Sequence, residues 1–81
     1  MDETITSFLL RMGEVARQRR IGSGVTQAEQ AEKAEISLRA AQNIESGSSG
    51  QTAVLLRDLQ SLGLLDDLMA VFPDPFALSP L

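Results

Sequence analysis

Apolar residues recur at Ile5, Phe8, Leu9, Met12, Val15 and Ala16, a spacing that puts all six on one stripe of a helix over residues 2–20. Asp2 and Glu3 suit the positive end of that helix dipole, and Arg17, Arg19 and Arg20 suit the negative end. Two glycines, Gly22 and Gly24, break the pattern, so residues 21–25 read as a loop. Residues 26–47 then hold two short helical patterns with a tight turn between them, which is a helix-turn-helix signal. Thr26 and Glu29 form a capping box at the start of the first. Ala28, Ala31 and Ala34 give it a narrow face of small residues that a neighbouring helix can approach closely. Ile36 plugs the turn and Ser37 caps the second helix, whose inward face is Ala40, Ala41 and Ile44. Gly47 ends it, because glycine takes the left-handed conformation without strain.

A second soft segment, residues 46–50, leads into a fourth helix from about Gln51 or Thr52 to Leu62, with Val54, Leu55, Leu59 and Leu62 inward, Leu56 off the stripe and Gly63 closing it. Leu64, Leu65, Leu68, Met69, Val71 and Phe72 follow as a short helix that is apolar around most of its circumference, with Asp66 and Asp67 marking solvent. That much apolar surface needs a cover, and the simplest is a homodimer partner meeting Leu64, Leu65, Leu68, Met69, Phe72 and Phe76. Pro73, Pro75 and Pro80 forbid further helix, so residues 73–81 read as an extended tail with Phe76, Leu78 and Leu81 as apolar anchors. Nothing alternates like a strand. The expectation is an all-α fold in one domain over residues 1–72, with dimerisation helices at 51–72 and a Pro-rich C-terminal tail.

Composition narrows the chemistry. With 81 residues the chain has room for one small core, and such a core gains from dimerisation. It has no cysteine and no histidine, which removes disulfides, most zinc sites, thiol nucleophiles and imidazole catalysis, so no enzyme, metal or cofactor is expected. No targeting segment and no apolar run long enough for a membrane span is read, and the expected location is cytoplasmic. A net charge of −4 opposes nucleic-acid binding as a global rule. Distribution changes that picture: six of the seven basic residues precede Gly47, and only Arg57 follows it, against Asp58, Asp66, Asp67 and Asp74.

Leu38, Arg39, Gln42 and Asn43 are left on the outward edge of the second short helix. Guanidinium and carboxamide groups at that spacing are what base reading in a major groove requires, although a solvated helix face carries the same residues. Thr26, Gln27, Glu29, Ala31, Ile36, Ser37, Ile44, Glu45 and Gly47 together resemble the T-Q-x-E-x-A…[IV]-S…[IL]-E-x-G pattern of the XRE family, which includes the lambda and 434 phage repressors. The similarity extends to Gly13, Glu14 and Arg20 upstream and to Leu59, Leu62 and Gly63 downstream. The chain departs from the pattern at Gln30 (usually leucine), Glu35 (usually a turn glycine) and Ala41 (usually a large aliphatic). Glu35 then has to take a near-left-handed backbone at a cost of about 1 kcal/mol.

The resemblance implies a five-helix lambda-repressor-like domain that binds DNA as a homodimer and represses transcription from a pseudo-palindromic operator. It implies base reading by Leu38, Arg39, Gln42 and Asn43, and a structural ion pair between Arg20 and Glu45. It also implies that Gln27 clamps phosphate and braces the next helix. Ser37, Ser48, Ser49, Arg17 and Arg19 are candidates for further phosphate contacts, with capping, dipole compensation and linker roles as the alternatives. The short Pro-rich tail is similar to that of HipB-like antitoxins, whose partner is a HipA-like toxin; a stand-alone phage regulator and a helical interaction module without DNA binding are the competing readings.

Overall fold

The computed structural model describes residues 2–48 and 50–76, and among these the chain forms five α-helices and no strand. They are α1 (Glu3–Gly22), α2 (Gln27–Ala34), α3 (Leu38–Glu45), α4 (Thr52–Ser61) and α5 (Leu65–Val71). The helix starts follow local hydrogen bonding. Asp2 caps α1 by accepting from the Thr4 amide, and the Thr26 hydroxyl accepts from the Glu29 amide while the Glu29 carboxylate accepts from the Thr26 amide. Ser37 caps α3 through the Ala40 amide at 3.0 Å. Gly47 (φ 79°) and Gly63 (φ 76°) terminate α3 and α4 in the left-handed region. Helix α1 runs to Gly22, past the expected end at residue 20, and Ser23 closes it by donating its amide to Arg19 and Arg20 and its hydroxyl to the Arg19 carbonyl. Glu35 ends α2 at φ 57°, ψ 44°, the left-handed conformation that the three-residue turn into α3 demands.

Helix α1 packs on α3, α2 packs on both α3 and α4, and α5 packs on α4. The α1–α3 contact is close because Gly13 has no side chain: a Cβ there would collide with the main-chain oxygens of Ile44 and Glu45. One at Gly47 would lie 2.9 Å from the Leu10 Cα. Among the described residues the buried apolar side chains are Ala16, Ala31, Ala34, Ala41, Leu59 and Leu62, so four of these six are methyl groups and the helices sit close around little volume.

Several expected faces are rotated. Leu9, Met12, Gly13 and Ala16 turn toward the body, whereas Ile5, Phe8 and Val15 are 45–52% exposed. The stripe is narrower than the sequence pattern because α1 meets α3 along one glycine-lined ridge and has no substantial contact with α4 or α5. Ala28 is exposed, and Gln30 takes an inward place beside Ala31 and Ala34. Leu56 is half-buried, and Asp58 is 1% exposed. Gln30 Nε2 donates to Asp58 Oδ1 at 3.0 Å, so the α2–α4 contact holds a polar pair where the resembled family has leucine.

Candidate functional site

Helix α3 presents Leu38, Arg39, Gln42 and Asn43 on its solvent side, all four exposed, while Ala41 is buried and Ala40 and Ile44 are partly covered. An eight-residue helix is too short to hold itself in register, so its attitude depends on what grips its ends. The Ser37 cap grips the first turn. At the other end, Arg20 Nε donates to Glu45 Oε2 at 2.7 Å and Nη2 donates to Glu45 Oε1 at 3.1 Å. Arg20 Nη1 also donates to the Val25 carbonyl at 2.7 Å, and Gln27 Nε2 donates to Glu45 Oε1 at 3.0 Å. A single carboxylate therefore joins α1, α2 and α3, and the arginine carries the same tie into the loop before α2.

The two side chains of the pair are 12% and 6% exposed. Burial pushes the Glu45 carboxyl up, but the hydrogen bonds from Arg20 and Gln27 outweigh it and leave its pKa below the ordinary value. Arg20 is correspondingly held above its own, chiefly by the Glu45 hydrogen bond against burial. The opposite case is Asp58, where burial raises the pKa and the Gln30 hydrogen bond offsets only part of the rise.

The residues put forward for phosphate contact do not form one patch of free groups. Arg17 and Arg19 are exposed near the end of α1, and Arg17 is paired with Glu14 at 3.3 Å. Gln27 Nε2 donates one hydrogen to Glu45, which braces α3, and keeps a second N–H. Ser37 spends an acceptor on its cap, and Ser48 shares a 3.1 Å hydrogen bond with Ser46. Ser49 lies outside the described residues, as do the tail anchors Leu78 and Leu81. On the α5 side, Leu64, Leu65 and Leu68 are half-buried against the body, while Met69, Phe72 and Phe76 are 58%, 72% and 86% exposed.

Two features were missed by the sequence reading. One is the Gln30–Asp58 pair. Its signal was present, since Gln30 stands four residues before Ala34, and Asp58 stands three after Leu55 and four before Leu62, both core-facing spacings. The other is a groove of about 530 Å³ between α1, α3 and the start of α4, lined by Ile5, Leu9, Met12, Val54 and Leu55 and flanked by Arg39 and Asn43. Spacing within one helix does not reveal it, because it arises from the gap between α1 and α4.

No group of three or more His, Cys, Asp or Glu side chains fit to hold a metal is found among the described residues, and no helix among them is long and apolar enough to cross a membrane. Neither a protein-family model, nor a curated protein, nor a solved structure matches the chain.

Proposed function

We propose that this chain is a sequence-specific DNA-binding repressor that lays α3 in the major groove, with Arg39 and Asn43 on base edges, Leu38 against a thymine methyl and Gln42 in support. The observation that carries the reading is the grip on α3: a short helix held at both ends by Ser37 and by the Arg20–Glu45–Gln27 network, with its polar edge bare. A solvated face has no need of such fixing, whereas base recognition does, because hydrogen bonds to base edges fail when the reading helix tilts. Two copies on half-sites about one helical turn apart double the phosphate contacts, which matters for a chain of net charge −4. On α5, the exposed Met69 is the surface proposed to join them.

By the resemblance, the repressor is of the HipB-like antitoxin kind, with a HipA-like toxin docking away from DNA and the operon as its own target. The acidic charge favours a second reading, a helical interaction module that does not touch DNA. The two differ in salt response. Binding to a selected operator that weakens steeply between low and physiological salt supports the repressor, and association with the cognate partner that is indifferent to salt supports the module. On such an operator Arg39→Ala is expected to cost about 1–3 kcal/mol and to relax one base position; unchanged affinity and unchanged base preference rule out the assigned reading edge.

A further inference from the structure

The groove between α1, α3 and α4 is mainly apolar, lies open, and has Arg39 and Asn43 in its wall. Elsewhere among the described residues is an exposed apolar segment. Exposure climbs along the C-terminal end, from the half-buried Leu68 through Met69 (58%), Val71 (69%) and Phe72 (72%) to Phe76 (86%). Residues 69–76 therefore offer apolar side chains to solvent. The groove lies at the beginning of α4, whereas α5 departs from the other end of that helix, so a strap heading outward from its own α4 is placed to reach another molecule.

The chemistries match. Residues 72–76 set Asp74 between two phenylalanines, and Asp74 Oδ1 accepts from the Phe76 amide, which leaves Oδ2 for a cation. Arg39 is the basic residue in the groove wall, beside the apolar side chains of α1 and α4.

We infer that, off DNA, the 72–76 strap of a second copy occupies this groove, with Phe72 and Phe76 on its apolar floor and Asp74 on Arg39, so that the dimer covers Arg39 and Asn43. The contact is reciprocal, each copy supplying one strap and one groove. Its consequence for DNA rests on the reading role proposed for those two residues; the contact itself does not. Where both hold, DNA and self-association compete for one surface, and strap exchange keeps α3 masked until an operator displaces it.

Sedimentation equilibrium of the full chain tests the contact. The expected result is a monomer–dimer equilibrium that Phe72→Ala/Phe76→Ala weakens by about tenfold or more, with the helical circular dichroism unchanged. Arg39→Asp and Asp74→Arg each weaken it, and the two combined restore it, a rescue that loss of packing alone does not produce. A chain that stays monomeric overturns the proposal. So does a dimer insensitive to the two phenylalanines but lost on Met69→Glu, or a charge swap without rescue. The DNA arm is separate: Phe72→Ala/Phe76→Ala is expected to bind operator more tightly than the parent chain. Weaker binding by that variant overturns the masking role. Absence of DNA binding by every variant defeats the repressor reading while the sedimentation result stands.

Discussion

Glu45 and Asp58 are two carboxylates whose surroundings push them in opposite directions. Glu45 is buried but receives hydrogen bonds from Arg20 and Gln27, so its folded-state pKa lies below the ordinary value of 4.5. Its contribution to stability is present above that value and is lost as pH falls through the folded pKa. Glu45→Ala is expected to cost about 3–5 kcal/mol in urea unfolding at pH 7, because it strands the Arg20 charge. The stability gap between the parent chain and Glu45→Gln should close as pH falls below 4.5; a gap constant down to pH 2 shows that the carboxylate charge contributes nothing. Asp58 has the reverse sign. With its folded pKa raised above 3.8, it lowers stability as pH rises through that raised value, which is why the Glu45 contribution is read as a difference between two chains that both carry Asp58. Gln30→Ala leaves the Asp58 carboxylate without its hydrogen bond and should cost about 1–3 kcal/mol, whereas Gln30→Leu with Asp58→Leu should be close to neutral or stabilising. A double variant as unstable as the single one shows that the pair does more than satisfy itself.

At the scale of the elements, both short helices are set by their ends. The capping box of α2, the Ser37 cap of α3 and the glycines after α3 and α4 are relations among residues at most four apart, and the sequence displays each of them. Glu35 is the exception to good local fit, a glutamate held at φ 57°. Glu35→Gly is expected to stabilise the chain by about 1 kcal/mol in thermal or urea unfolding, since the turn geometry stays and the left-handed strain goes. A destabilisation instead shows that the Glu35 side chain earns its place through contacts of its own. The faces of the helices were less legible than their ends. On α1 the pattern gives Ile5, Phe8 and Val15 the same rank as Leu9 and Met12, and only the line of approach of α3, through Gly13, separates them. On α4 the hydropathy of an aspartate argues for solvent, and only the arrival of Gln30 from α2 makes burial tolerable.

The whole molecule is spread thinly over its core. Its radius of gyration is 14.2 Å, where a compact chain of this length reaches about 12 Å. Among the described residues the buried apolar side chains are four alanines and two leucines, while ten large apolar side chains face solvent. If the proposed self-association covers that surface, the melting temperature is expected to rise with protein concentration by mass action; a value independent of concentration in scanning calorimetry shows that the monomer suffices. The chain alone disclosed five helices, the caps of α2 and α3, the glycines that end α3 and α4, and the outward edge of α3, since all of these follow from hydrogen bonds and periodicities within one turn of helix. Pairing Arg20 with Glu45 needed a likeness to other proteins, because no local rule links residues 25 apart. The polar pair under α2, the side of α1 that is covered, and the groove beside Arg39 came only from the folded arrangement. Each of them depends on how near two helices can approach, and that distance is settled where a glycine or alanine of one meets the backbone of another.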